Sequence, residues 1–432
     1  MEKHTSESHV NLDAAESYLR HLLHSFLVGV RWILFGVICG VVIGAIAALF
    51  ANAIVKATNY RLEHGSLILF LPLAGLFIVF MYRKSGYPQP RGTNRVLTAI
   101  REEETIPGAM APLIIVATVL THLFGGSVGR EGAALQVGGS LGAVLGRLFR
   151  FKESERRRII MCGMSAAFSA LFGTPLAAAV LSMEISTVGI MYYAALVPCV
   201  ISALTAHYVA ELLGASETIL TVSHVAEFHP GAAAVTLIFA VCCALVSVLF
   251  CAAMHHTKHL MTEHVRNPYL RVFLSAVIII VLTALVGDQT YNGTGSSVIA
   301  SCINDPSFQI VPYAFLLKIL FTAVSLSGGL QGGEIVPSLF IGATFGHAFA
   351  LLFGLDPAFY SAIGMACVFC GVTNCPIATL LISCEMFGFE GSSFYLIAIA
   401  ITYLFSGNYG IYSAQKILHS KFDPGRIDAN TH

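Results

Sequence analysis

Long, almost charge-free apolar runs recur along this chain, and they constrain its fold more than any other feature. Trp32–Val55 and Ser66–Tyr82 are nearly uncharged, and about 20 helical residues cross the hydrocarbon of a bilayer. Similar runs occupy Pro112–Phe124, Ile159–Met183, Ile190–Leu213, Ala232–Met254, Val272–Val286 and Val311–Leu326, and more fill Pro337 to Phe405. Charged residues make up 11% of the chain, whereas a soluble domain carries about 25%. The expectation is an all-α polytopic membrane protein with on the order of ten or more spans.

The charges fall outside those runs. Met1–Glu16 is polar, and no small-residue cleavage site follows a short apolar core, so no cleaved signal peptide is expected. Arg20 and Arg31 precede the first run, and Arg83, Lys84, Arg91 and Arg95 follow the second. Under the positive-inside rule both clusters read as cytoplasmic. A third cluster, Arg147 to Arg158, reads as a solvated loop on the same side. Zero net charge gives no footing for nucleic acid. The 11 cysteines lie mostly in apolar runs, and Cys367 and Cys370 stand one turn apart with no second pair nearby. That spacing reads as packing rather than a metal site, and no metal or cofactor is expected. HExxH and GxSxG are not recognised and no paired aspartates lie within the runs, so a membrane-embedded enzyme is not expected either.

Two segments recur in order. GGSVGREG from Gly125 matches GGLQGGEI from Gly328, an offset of 203 residues that pairs Glu131 with Glu334 and Gly139 with Gly342. Gly163, Phe168, Pro175, Ala177, Ser182 and Glu184 match Gly364, Phe369, Pro376, Ala378, Ser383 and Glu385 at an offset of 201. Nearly equal offsets indicate a duplicated transporter half, with the ion site where the halves meet and broken helices aim their N-termini inward. The expected layout is a cytoplasmic segment 1–30, a first membrane repeat 31–215, a second 230–421 and a short tail 422–432 without a soluble regulatory domain. An odd number of spans per half makes the repeats inverted, and the expected fold is two inverted-topology repeats whose broken helices meet at the midplane.

Gly125–Gly132 and Gly328–Gly333 interrupt apolar runs at membrane depth. Irregular backbone survives there only inside protein or beside a cavity, because unpaired amides cost several kcal/mol in lipid. Helical patterns resume at Ala133 and Pro337. Glycine admits close approach, and free N–H groups at a helix start attract anions. The plain alternative is helix packing by small residues, which suits Gly36, Gly40 and Gly44. Each glycine loop also carries a glutamate, and a carboxylate at that depth costs roughly 2.5–3.5 kcal/mol and marks function. Low dielectric and a nearby anion favour the protonated acid, so Glu131 or Glu334 can exchange protons, or a deprotonated side chain can fill the anion's place. Arg130 reads as a structural partner of a carboxylate. Glu184 and Glu385, each nine residues after a proline, read as hydrogen-bonded helix ends.

These residues resemble the CLC family of chloride channels and anion/proton antiporters. Gly129–Gly142, GREGAALQVGGSLG, resembles the family's GREGP motif, and Gly332–Gly346 resembles its GxFxP motif with the following helix. GTPLAAAVLSME, NCPIATLLISCE and Tyr412–Ile417 resemble three later segments. The resemblance implies that Glu131 gates, that Thr93, Asn94, Gly132, Glu334, Ile335 and Tyr412 surround the anion, and that Gly129, Arg130, Gly332 and Gly333 support the loops. It also implies a homodimer with one pathway per subunit. The family's serine motif is replaced by Gly92–Val96, so Thr93 stands for the serine. Ile185 replaces the internal glutamate of chloride/proton antiporters, and Glu334 enters the second loop. That combination resembles the bacterial fluoride/proton antiporter branch, although Thr93 and Val336 differ from many of its members. The expected function is fluoride export in exchange for protons across a bacterial-type inner membrane. A chloride channel or chloride/proton antiporter is the alternative. A protonated Glu334 can donate to an anion; the plainer reading is that it tunes the field of a vestibule.

Overall fold

The computed structural model describes residues 2–88, 91–102, 104–215, 220, 222, 225–305, 307–422 and 425–431. Met1 of the expected N-terminal segment, and residues 423, 424 and 432 of the expected tail, lie outside them. Eight helices form the first half: α1 Glu2–Glu63, α2 Leu71–Lys84, α3 Thr93–Arg101, α4 Met110–Leu123, α5 Glu131–Leu148, α6 Arg156–Phe172, α7 Pro175–Glu184 and α8 Leu196–Leu212. Eight more form the second: α9 Pro230–His264, α10 Pro268–Val286, α11 Ser296–Asn304, α12 Ala314–Gly328, α13 Ile335–Phe353, α14 Pro357–Thr373, α15 Pro376–Phe387 and α16 Ser392–Phe405. Helix α1 passes without a break through residues 30 and 31, where the sequence suggested a boundary.

Among the described residues, six helical stretches are long and apolar enough to cross a membrane, and six further apolar helices have 10–17 residues. The short ones arise where proline and glycine punctuate an apolar run. Ile159–Met183 reads as one run, yet it divides into α6 and α7. Gly173 ends α6 with left-handed backbone at φ 76°, and Pro175 opens α7 at its first turn. The same device separates α14 from α15, with Asn374 at φ 56° before Pro376.

The two halves share one packing plan. The pairs α1–α8, α5–α6, α6–α8, α4–α5 and α3–α5 recur as α9–α16, α13–α14, α14–α16, α12–α13 and α11–α13. Gly36, Gly40 and Gly44 bring α1 against Ile201, Thr205 and Ala206 of α8, as small-residue packing requires. Gly138 faces the backbone of Gly163, and Gly342 faces that of Gly364, so closely that a Cβ would collide with the carbonyl. This match sets the register of the first repeat at 204 residues (Gly342 against Gly138), one more than the motif alignment gave. Helix α5 therefore begins at Glu131 and α13 at Ile335, each two residues earlier than the apolar pattern suggested. The counterpart of Glu131 is Ile335, and the counterpart of Glu334 is Arg130. The same offset already holds where α4 and α12 end, since Gly125 and Gly329 both take left-handed backbone and close their helices with matching hydrogen bonds, so the two glycine loops are equally long.

Helices α7 and α15 cross the boundary between the halves and run antiparallel. The Glu184 carboxylate at the end of α7 accepts from the amides of Ile377 (3.2 Å) and Ala378 (2.8 Å) at the start of α15. Glu385 at the end of α15 accepts from Leu176 (3.0 Å) and Ala177 (2.9 Å) at the start of α7. Each acid satisfies amides that no helical carbonyl reaches, so the helix-end reading of this pair holds. Equivalent elements meeting head to tail across a pseudo-two-fold is the arrangement of inverted repeats.

The basic cluster at 147–158 is more than a solvated loop. Arg157 Nε donates to the Ile100 carbonyl (2.9 Å) and Arg156 Nη2 to that of Glu102 (2.7 Å), which caps the C-terminal end of α3. After α16, a small sheet of β1 Thr187–Val188, β2 Lys416–His419 and β3 Arg426–Asn430 ties the C-terminal stretch to the first half. Strands β1 and β2 are parallel, and β2 and β3 antiparallel.

Replacing Glu184 or Glu385 by Ala leaves two amides unpaired at one helix start. Each variant should lose about 2–3 kcal/mol of stability, read as a lowered thermal midpoint in detergent. The two losses should nearly add, because the acids sit at opposite ends of the helix pair.

Candidate functional site

Two helix starts come together where the halves touch. The loop between α4 and α5 and the loop between α12 and α13 pass each other antiparallel. Gly129 N–H donates to Gly333 O (2.6 Å), and Gly333 N–H donates to Gly129 O (2.7 Å). Only glycine tolerates the approach: a Cβ on Gly132 would stand 2.8 Å from Gly333 Cα, and one on Gly129 3.1 Å from Gly333 O. Gly332 is packed as tightly against Val128. The four expected loop-supporting residues, Gly129, Arg130, Gly332 and Gly333, all lie in this crossing. It places the N-termini of α5 and α13 side by side, and with them two sets of free amides and two positive dipole ends.

Side chains close over this junction. Glu131, 2% exposed, folds back so that Oε2 accepts from the Arg130 amide (3.1 Å) and Oε1 from Arg130 Nε (3.2 Å). Its carboxylate thus occupies the kind of position an anion takes at a helix start. Arg130 is the structural partner that its sequence neighbourhood suggested. Glu334 sits just before α13 and reaches over Gly132, whose Cβ, if present, would be 3.0 Å from Oε2. That oxygen is buried without a hydrogen bond among the described residues. Ile335, also buried, opens α13 beside it.

Tyr412 comes from the stretch after α16 and is fully buried. Its hydroxyl forms no well-aligned hydrogen bond; it lies beside Thr93 and within the field of Glu334. The backbone beneath it is fixed by Thr431 Oγ1, which donates to Tyr412 O (2.6 Å), and by Gln415, which donates to Ile185 O (3.0 Å) and Thr373 O (2.7 Å). Thr93 is the first residue of α3, and its hydroxyl donates to Gly132 O (3.3 Å). Asn94 Oδ1 accepts from the Ala414 amide (2.9 Å). As placed, Thr93 and Asn94 brace α3 against α5 and against the Tyr412 segment. Among the described residues, the unspent polar atoms at the junction are Glu334 Oε2 and the Tyr412 hydroxyl oxygen.

A cavity of about 900 Å³ leads to Glu334. It is lined by Asn94, Gly332, Ile411 and Ser413, and by the ends of α2, α3 and α9 with their basic residues.

Sequence reasoning overlooked a second layer. Lys318 lies inside the apolar run of α12, fully buried, and donates to Gly293 O (2.8 Å) and Tyr291 O (3.0 Å). Gly293 N–H in turn donates to Gly126 O (3.0 Å), and Asn292 Nδ2 donates to Gly125 O (2.7 Å). Arg61, near the end of α1, donates to His122 O (3.0 Å) and caps the C-terminal end of α4. Ser127 N–H donates to Ser325 Oγ (3.0 Å), and Ser127 Oγ pairs with Thr322 Oγ1 (3.2 Å). These contacts fix the loop that aims Glu131. The available signal was a lone lysine within Val311–Leu326. Contrary to the expectation that GxSxG is absent, the same loop spells Gly-x-Ser-x-Gly at Gly125–Gly129, the spacing of a nucleophile elbow. Among the described residues Ser127 is tied to two hydroxyl side chains, Ser325 and Thr322, and serves there as a brace of the loop.

A family model described as voltage gated chloride channel matches residues 74–407. A chloride/fluoride channel protein of Pseudomonas syringae pv. tomato is 34% identical over 395 residues, covering 90% of this chain and 87% of the relative. An H(+)/Cl(−) exchange transporter of Vibrio cholerae is 24% identical, covering 73% of this chain and 70% of the relative. Among solved structures, a CLC-type fluoride/proton antiporter is 32% identical with a TM-score of 0.87, covering 90% of this chain and 98% of that one. A slow cyanobacterial Cl−/H+ antiporter, at 17% identity and a TM-score of 0.77, shares the fold.

Lys318→Met keeps the side-chain length but strands the carbonyls of Tyr291 and Gly293. It should cost about 3 kcal/mol, seen as a lower midpoint in thermal unfolding of the purified protein. An unchanged midpoint would mean that water replaces the ammonium there.

Proposed function

Because the chain belongs to the voltage gated chloride channel (CLC) family, we propose that it is a secondary active transporter that exports fluoride in exchange for protons. The observation that carries this reading is the buried, unpartnered Oε2 of Glu334, set over Gly132 where two helix starts converge. An acid with no partner is a proton carrier in waiting: protonated, it donates to an anion, and ionised, it repels one. Fluoride is small, strongly hydrated and a strong hydrogen-bond acceptor, so it leaves water only for a dense set of donors. The amides at the starts of α5 and α13, the Tyr412 hydroxyl and a protonated Glu334 supply that set. Glu131 is the gate. Ionised, it satisfies its own helix start and fills the anion's place; protonated, it gives up that place to the anion.

The 32% identity to a fluoride/proton antiporter structure supports fluoride over chloride, and the 34% identity to a chloride/fluoride channel protein suits either anion. Chloride/proton exchange is the second reading, favoured by Val336 and Thr93 and by the 24% identity to an exchange transporter. We also assign the membrane repeats to 31–215 and 230–421, place both termini in the cytoplasm of a bacterial-type inner membrane, and take the working unit as a homodimer. The basic residues after the second apolar run support that orientation.

Purified protein in liposomes should release fluoride about tenfold or more faster than chloride, a difference of roughly 1.4 kcal/mol, with proton uptake tracking fluoride release. Equal or faster chloride release removes the fluoride assignment, and anion release without proton movement indicates a channel. Glu131→Gln should abolish coupled exchange while the protein remains folded; normal exchange by that variant would exclude Glu131 as the gate. Tyr412→Phe should weaken fluoride binding about tenfold, the worth of one good hydrogen bond, with the thermal midpoint nearly unchanged.

A further inference from the structure

The exchange proposed above needs Glu334 to give up and regain a proton, and Glu334 lines the cavity of about 900 Å³. At about 30 Å³ for each water, that space has room for on the order of 30 molecules. The plain alternative is that water alone carries the proton.

The lining weighs against water alone. Arg83, Arg91, Lys258, Arg266 and Arg271 stand along it, and the charge of Lys258 reaches Glu334. Hydronium released among cations is repelled by them. The cavity's other carboxyl, Glu102, has a side chain 64% exposed and faces Arg101 at 3.5 Å, so it belongs to bulk solvent. Among the described residues, one imidazole lines the cavity, that of His255, late in α9 and one turn before Lys258. Histidine is the side-chain type that exchanges a proton close to neutral pH; arginine and lysine are not.

The setting of His255 fixes which nitrogen does what. Nε2 lies 2.9 Å from Gly410 O. A carbonyl only accepts, so Nε2 carries the hydrogen and Nδ1 offers the lone pair. Nδ1 has no hydrogen bond among the described residues. The bond to Gly410 survives in either state of the ring, because a proton gained at Nδ1 leaves Nε2–H in place. Gly410 stands two residues before Tyr412, which lies within the field of Glu334. The cations on either side of the ring are Lys258, one turn later, and Lys421, which lies by Cys251 one turn earlier. Neither is an acceptor for its proton.

We propose that His255 is a proton-transfer residue of this transporter: its Nδ1 takes the proton that leaves Glu334, relayed by cavity water, and releases it to bulk water on the cavity side. The O–H bond of Glu334 breaks and an N–H bond forms at Nδ1. That bond breaks in turn as the proton passes to solvent, and nothing is oxidised or reduced. The inference rests on the proton-exchange part of the function proposed above and holds for either anion.

Fluoride efflux from liposomes, read with a fluoride electrode and corrected for protein-free liposomes, tests it with His255→Gln. The glutamine amide keeps a donor for Gly410 O and has no lone-pair nitrogen. The variant should keep its thermal midpoint and export fluoride about tenfold or more slowly. Imidazole at equal concentration on both sides should restore the lost rate as its concentration rises, and leave the wild-type rate unchanged. Equal rates for variant and wild type overturn the proposal. A slow variant that imidazole does not rescue also overturns it, and leaves His255 as a tether of the Tyr412 segment. If the glutamine variant does not elute as folded protein, His255→Asn carries the same measurement. If the wild type moves chloride instead of fluoride, the comparison is made with chloride. A wild type that moves its anion without protons overturns the proposed exchange and this inference together. A coupled wild type with an unslowed variant overturns this inference alone.

Discussion

Two hydrogen bonds between glycines, Gly129 to Gly333 and back, hold the ends of two broken helices together inside the bilayer-spanning part of the molecule. Neither loop could remain irregular there on its own, because unpaired backbone in hydrocarbon costs too much. Paired, each gives the other what a helical turn would have given. The cost of breaking α5 from α4 and α13 from α12 is met locally, and the amides that remain free are gathered at one spot. The chemistry of the junction follows from that meeting of backbones. The side chains of Glu131, Glu334 and Tyr412 lie about a donor set that the backbone has already assembled.

The halves are alike in packing and unlike at the site. Glu184 and Glu385 perform the same task from opposite directions, as a two-fold relation demands. Glu131 and Glu334 do not. One is the first residue of its helix and the other immediately precedes its helix. That single residue turns one carboxylate back onto its own helix start and sends the other across the boundary to Gly132. A duplicated scaffold has thereby acquired two acids in unequal settings, one engaged and one unengaged.

Much of this was legible in the sequence because it rests on one-dimensional signals. Charge-free runs give the spans, glycine and proline give the breaks, and matched motifs give the duplication. The family likeness supplied Tyr412, which no local pattern would have singled out. The one-residue register could not be read, since a loop of glycines aligns equally well with a neighbour. The contact of Gly138 with Gly163, repeated by Gly342 with Gly364, fixes it. The bracing role of Thr93 and the work of Lys318 were hidden for another reason. Their partners are backbone carbonyls of Gly132, Tyr291 and Gly293, and a carbonyl leaves no mark in the amino-acid alphabet.

The small sheet beneath Tyr412 gives the stretch 416–431 a mechanical role. Strand β3 lies against β2, and Thr431 is bonded to the carbonyl of Tyr412 itself. Residues 426–431 are therefore a strap on Tyr412, and loosening them would slacken the segment that presents its hydroxyl. An affinity label or fluorescent fusion placed there would pull on that strap. The same addition ahead of α1 would load a helix whose side chains at 17–27 are exposed.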